Sequence, residues 1–239
     1  EIRLSLVGSE MCIRDRLQAA FENSESVGVI LRINSPGGSP VQAGIIHDEM
    51  LRLRAKYPQK SLHVVVEEIC ASGGYYVAAA GEKIYVDKAS LVGSIGVIMN
   101  GFGVTGLMEK LGIERRAITA GKNKALLDPF SKQDPKQKEF VQGMITEVHE
   151  QFITVVRAGR GDRLKETPDM FTGLVWNGAK SVELGLSDSL GSVDVVARDV
   201  FKASNIVDYT MKDNLAERVA KRFGLSLIHI SEPTRLRRI

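Results

Sequence analysis

The feature that most constrains the fold is an apolar, β-branched run that ends at a serine and two glycines. Leu62-His63-Val64-Val65-Val66 reads as a buried strand. Ile69-Cys70-Ala71-Ser72-Gly73-Gly74-Tyr75-Tyr76-Val77-Ala78-Ala79-Ala80-Gly81 follows, and after Ser72 its small apolar helix formers read as a tightly packed helix. Ser72 therefore sits on a strand-to-helix junction. A hydroxyl there lies near backbone N–H donors, where negative charge is stabilised. The two glycines leave no side chain in the way of an approaching carbonyl. A nucleophilic serine needs this geometry, because the oxyanion formed on attack must meet backbone donors. The plainer alternative is that Ser72 is only a helix N-cap.

Around this junction, strands and helices alternate. Strands are predicted over residues 27–33, 83–86, 91–98 and 116–119, with a short one near 206–209. The spacing predicts a helix ending over 17–23, and helices over 41–56, 104–111, 177–184 and 193–203. The longest is expected over 135–157, with Phe140, Met144, Val148, Phe152 and Val155 along one face. This order argues for an α/β fold, a mainly parallel sheet with crossover helices and a helical C-terminal part. Neither an internal repeat nor a low-complexity linker interrupts it.

The chain has 239 residues, 44% of them apolar, enough for one sizeable core. A formal net charge of +3 is too small to suggest a nucleic-acid partner. No run of about 18 apolar residues is present to span a membrane, and no secretory signal is visible at the start. The two ends resemble translated sequencing-library adapter. Residues 6–15 carry one strand's reading and residues 225–235 the other's. The codons ATG TGT ATA AGA GAC encode Met11 to Asp15, and their reverse complement contains CTT ATA CAC AT, which encodes Leu227-Ile228-His229 and begins Ile230. Residues 1–16 and 225–239 are accordingly set apart, leaving 17–224 as the expected domain, truncated at its N-terminus. Without the six basic and four acidic residues at the ends, 26 basic and 25 acidic residues remain. Cys70 is then the one cysteine left, so no internal disulfide is expected.

A second glycine turn, Ser35-Pro36-Gly37-Gly38, closes a strand and opens a helix. Gly37 and Gly38 can aim backbone N–H groups at a developing oxyanion, or simply begin an ordinary helix. A serine also needs a base. Of the histidines in 17–224, His63 alternates within a buried strand, while His47 and His149 fall on helices, and none has an acidic orienting partner on a loop. A lysine base must be neutral, which takes it from about 10.4 towards ~7–8 at a cost of roughly 3–5 kcal/mol. Gly121-Lys122-Asn123-Lys124 precedes the apolar Leu126, Leu127 and Phe130, which offer desolvation. Physical reasoning alone does not choose Lys124 from the other lysines. Gly159-Arg160-Gly161-Asp162 contains an integrin-binding tripeptide, a length expected by chance.

Ser35-Pro36-Gly37-Gly38, Ala71-Ser72-Gly73-Gly74-Tyr75-Tyr76, Val92-Gly93-Ser94-Ile95-Gly96-Val97, and Gly121-Lys122-Asn123-Lys124 with Pro129-Phe130 occur in that order. Together they resemble the signal peptide peptidase A family of serine–lysine peptidases, over nearly all of 17–224. The resemblance implies a ClpP/crotonase-like fold, Ser72 as nucleophile, and Lys124 rather than Lys122 as general base. It also implies oxyanion donors at Gly73 and at Gly37 or Gly38, with Ser94 orienting the lysine. No cofactor or metal is implied. The implied substrates are cleaved signal peptides and other extended apolar peptides. Implied too are a homo-oligomer sharing active sites between protomers, and a place on the extracytoplasmic (periplasmic) face of the bacterial inner membrane. The family's N-terminal anchor and an extra strand before Leu17 are missing from 17–224, so an exposed sheet edge is expected there. The competing expectations are an inactive ring-forming scaffold and a crotonase-like acyl-CoA enzyme.

Overall fold

The computed structural model describes residues 2–5, 10–203 and 205–210. The expected C-terminal adapter segment, 225–239, lies outside the described residues, as do residues 1 and 6–9.

An eight-stranded sheet forms the framework. Its strands are β1 (Ile2–Ser5), β2 (Gly28–Ser35), β3 (Ser61–Ala71), β4 (Lys83–Val86), β5 (Leu91–Gly93), β6 (Val175–Asn177), β7 (Ser189–Leu190) and β8 (Val207–Asp208). The main path runs β6-β5-β3-β2-β1-β8, with β4 beside β3 and β7 beside β4. All pairings are parallel except β5 with β6. The intervening helices are α1 (Glu10–Glu22), α2 (Pro40–Lys56), α3 (Gly73–Ala78), α4 (Thr105–Lys110), α5 (Pro135–Arg160), α6 (Gly178–Glu183) and α7 (Val193–Val195). A π-type turn, Val196–Val200, continues α7. This is the expected α/β arrangement.

β3 positions the site. It is eleven residues long, and the register against β2 shifts between Ile33 and Ser35. The first half, His63 to Val65, pairs with β4, while the second half, Ile69 to Ala71, pairs with β5. The strand thus leaves one neighbour for another and delivers Ser72 beside the end of β5.

Alternation along the strands sorts the core into two faces. Val29, Leu31, Ile33, Leu62, Val64 and Val66 pack with Leu17, Phe21, Ile46, Met50, Tyr75 and Phe152. On the opposite face Ile30, Val65 and Tyr85 meet Val193, Val196 and the ring of Phe201. α2 is closed by Ser39, whose hydroxyl accepts from the Gln42 amide, with Pro40 in the first turn.

Several expectations are corrected. The edge beyond β2 is not open, because β1 and then β8 extend the sheet there. α1, whose end is expected over 17–23, starts at Glu10, and its Ile13 is buried in the core. β5 stops at Gly93 rather than running to 98, because Ser94 adopts φ 52°, outside the β region. No strand forms over 116–119 among the described residues, where Ile118 is fully exposed and lacks a neighbouring surface. On α5 the apolar side chains pack mainly in the C-terminal half, with Val141 the buried one nearer the start. Phe152, Ile153 and Val156 are buried, whereas Phe140 and Met144 are exposed.

Candidate active site

Ser72 stands between β3 and α3 with φ 50° and ψ −124°. A non-glycine residue at positive φ is strained and persists only where its surroundings over-determine it. Here the Ser72 amide donates to the Gly93 carbonyl at 2.9 Å, and its own carbonyl accepts from Tyr75 at 2.9 Å and Tyr76 at 3.0 Å. Its hydroxyl makes no cap on α3. Ser72 thus holds the N-cap position of α3 without the side-chain bond by which a serine cap stabilises a helix. The half-buried hydroxyl stays available.

The second glycine turn lies against it. A Cβ on Gly37 would sit 2.7 Å from the Ser72 Cβ, and Gly37 has φ 118°, so only glycine fits. The Gly37 amide donates to the Ser35 hydroxyl at 3.2 Å. The Gly38 amide nitrogen lies 3.3 Å from where a Gly73 Cβ would be. Gly37, Gly38, Ser72 and Gly73 therefore form one cluster. Beside it is a small cavity of about 90 Å³, lined by Ser35, Gly38, Ala43, Ile46, Gly73 and Val77 among others.

α3 is anchored from behind. The buried Tyr75 hydroxyl donates to the Leu186 carbonyl at 2.7 Å. That loop is held by Arg160, whose Nε donates to the Gly185 carbonyl and whose Nη1 meets Asp188 Oδ2, both at 2.8 Å. Arg163 adds a bond to Asp188 Oδ1 at 3.0 Å, and the Ile84 amide donates to Oδ2 at 2.7 Å. Burial pushes the Asp188 carboxyl up. The Arg160 bond and charge, the Ile84 amide and Arg163 outweigh it and hold the carboxyl below its ordinary range. Cys70, next to Ala71, is fully buried and its thiol is pushed up by desolvation, which makes it inert.

Ser94 follows β5 with its amide donating to the Leu174 carbonyl at 2.7 Å, one residue beyond the Gly93 carbonyl that holds Ser72. Lys124 sits in an exposed turn with its amide on the Gly121 carbonyl at 3.1 Å, and no hydrogen bond joins its ammonium to Ser72 among the described residues. Leu127 and Phe130 are 36% and 46% exposed, so within one chain they shield this turn only partly. The surrounding segment also exposes Ile98, Phe102 (86%), Leu107 and Leu111.

The histidines make other contacts. His47 on α2 meets Asp48 at 3.1 Å and the Tyr76 ring edge-on. His63 is buried on the far face of the sheet between Tyr85 and Phe201. His149 on α5 donates from Nε2 to the Ile95 carbonyl at 3.1 Å. No hydrogen bond joins a histidine to Ser72 among the described residues. Two contributors went unread in the sequence. The Ser35 hydroxyl that engages Gly37 was legible in the Ser-x-Gly spacing, which favours a local turn bond. His149 carried no local signal, because its partner is 54 residues away. No cluster of metal-ligating side chains occurs among the described residues.

Comparison with known proteins is consistent with this layout. The profile of Peptidase family S49 matches residues 54–206. A Brucella melitensis protein named Na(+)/H(+) antiporter NhaA is 43% identical over 177 residues, covering 74% of this chain and 24% of that protein. An Enterococcus faecium protein, provisionally named signal peptide peptidase SppA, is 29% identical over 196 residues, covering 82% of this chain and 56% of that protein. The chain thus spans about a quarter and just over half the length of these relatives. The solved structure of the 1510-N membrane-bound stomatin-specific protease, a lysine-to-alanine variant with a substrate peptide, superposes with a TM-score of 0.50. It covers 93% of this chain and 95% of that one at 11% identity, which shows a shared fold. The family profile covers more than half of the sequence, from the end of α2 through the Ser72 junction to the residue before β8, and the chain belongs to peptidase family S49.

Proposed function

We propose that the protein is a serine endopeptidase with a Ser72–Lys124 dyad, acting on cleaved signal peptides and other extended apolar peptides at a membrane. The observation that carries this is the uncapped Ser72 hydroxyl, held at a strained φ of 50° against a glycine turn. A residue that merely capped α3 would spend its hydroxyl on the helix.

In the proposed reaction, neutral Lys124 takes the Ser72 proton as the Ser72 oxygen attacks a peptide carbonyl. The tetrahedral oxyanion rests on the amides of Gly73 and Gly38. Gly38 is preferred over Gly37, because the Gly37 amide is already engaged by Ser35. The intermediate collapses to an acyl-enzyme as the proton passes to the leaving amine, and water then resolves the ester. The chemistry uses two side chains and backbone donors. Ser94, beside the Gly93 carbonyl, is assigned to orienting the lysine.

Lys124 reaches Ser72 across a subunit boundary in this reading. The exposed lysine turn and its apolar neighbours Phe102 and Phe130 support a homo-oligomer in which a second copy supplies the missing desolvation. Placement on the extracytoplasmic face of a bacterial inner membrane follows from the family resemblance. No helix among the described residues is long and apolar enough to cross a membrane.

The test is labelling by a fluorophosphonate probe, read by peptide mass spectrometry, beside Ser72→Ala and Lys124→Ala. A label on Ser72 that both substitutions abolish is expected. Labelling that persists in Ser72→Ala refutes the Ser72 peptidase reading, and wild-type protein that takes no label leaves an inactive ring-forming scaffold.

A further inference from the structure

We infer that His149 is a positioning residue, the side chain that ties α5 to the strap carrying Ser94 and thereby fixes the backbone of Ser72. The inference rests on the peptidase reading above and extends it to a residue outside the dyad.

The strap is residues 93–96. It leaves the sheet at Gly93, turns at Ser94 with φ 52°, buries Ile95 completely and passes close to Gly173 at Gly96. Its hold on the nucleophile is direct, since the Gly93 carbonyl accepts the Ser72 amide at 2.9 Å. Both Ser72 and Ser94 occupy positive φ, and such conformations relax unless their surroundings hold them. The Ser94 amide ties the strap to the Leu174 carbonyl at 2.7 Å, and within the strap the Gly96 amide donates to the Ser94 carbonyl at 2.9 Å. The Ile95 carbonyl is held instead by a side chain, the His149 imidazole, whose Nε2–H donates to it at 3.1 Å.

The position of His149 gives this bond its consequence. α5 begins beyond the turn that carries Lys124, and the Gln137 side chain accepts from the Leu127 amide at 3.4 Å. The same helix then runs through His149 to the buried Phe152 and Val156. His149 is thus where the helix following the lysine turn meets the strap beside the serine. Since a carbonyl only accepts, Nε2 must carry the proton, and the ring serves as a donor rather than as a base at this bond. A displacement of about 1 Å at a reacting group can cost roughly 100-fold in rate, so a loosened strap acts on turnover rather than on binding.

The experiment uses the full chain with His149→Ala and His149→Gln, reading the maximal fluorophosphonate inactivation rate separately from the half-saturating probe concentration. His149→Ala is expected to lower the maximal rate about tenfold with the half-saturating concentration unchanged, and His149→Gln, which restores a donor, to recover most of it. Hydrogen exchange read by mass spectrometry supplies a measurement independent of activity. Peptides containing Ser72 and Gly96 should lose protection in His149→Ala and regain it in His149→Gln. Wild-type labelling and protection in His149→Ala, or a glutamine variant as impaired as the alanine one, overturns the inference and leaves the peptidase reading standing. Failure of Ser72→Ala to abolish labelling overturns the peptidase reading, and the exchange result then decides the strap alone.

Discussion

Arg160 is the buried charge on which the back of the site depends, and Arg160→Met isolates its contribution. The side chain is 1% exposed and carries two bonds, to the Gly185 carbonyl and to Asp188 Oδ2. Methionine keeps most of the apolar stem and removes the guanidinium. Breaking a buried ion pair from one side costs about 3–5 kcal/mol, because the partner charge is left uncompensated. Asp188 retains Arg163 and the Ile84 amide, which places the expected loss near the lower bound, about 3 kcal/mol. With a urea m-value of about 1–3 kcal/mol/M, the unfolding midpoint should fall by roughly 1–3 M. The loss has a pH signature. The Asp188 carboxyl is held below its ordinary 3.8, so its stabilisation is complete above that value and disappears as pH falls through the lower folded value. The difference between wild type and variant should therefore be full at pH 7 and shrink below about pH 4. Because the Leu186 carbonyl on the same loop accepts the Tyr75 hydroxyl, serine labelling should weaken together with stability. A midpoint shift under about 0.3 M at pH 7 would refute the argument, showing that the desolvation of Arg160 cancels its bonds.

Two further outcomes follow from the geometry. Gly37→Ala should abolish serine labelling in folded protein, because the new methyl would sit 2.7 Å from the Ser72 Cβ at a φ of 118°; labelling at the wild-type rate would contradict the packing of the two turns. His63→Phe should flatten the fall in melting temperature between pH 7.5 and 5.5. Burial between Tyr85 and Phe201 lowers His63 from 6.5, only partly offset by Glu82 and Asp188, so stability is full above 6.5 and declines as pH drops through the lowered value. Equal pH dependence in the two proteins would remove His63 as the cause.

Much of this was legible locally. The strand 62–66, the break at Ser72-Gly73-Gly74 and the helix read over 41–56 are set by residues close in sequence, through alternation, backbone freedom and apolar period, and they appear where expected, with α2 starting one residue earlier at Pro40. The early end of β5 was not, because Ser94 takes φ 52° where its amide meets the Leu174 carbonyl, eighty positions away. The apolar stripe of α5 is legible as one face, but periodicity reports only which residues share a face, not whether a neighbour covers it, and Phe140 and Met144 are left exposed.

The sequence by itself determined the alternation of strands and helices, the glycine turns and the identity of Ser72 as the residue at the critical junction. These follow from short-range sterics and hydrophobic period. Tertiary structure alone decided that the Ser72 hydroxyl makes no cap bond, that Gly37 gives its amide to Ser35 while Gly38 lies against Gly73, and that from α5 His149 meets the Ile95 carbonyl and Arg160 meets Gly185 and Asp188. Each of these depends on which elements pack together, and the free energy of that choice resides in long-range contacts that no local window contains.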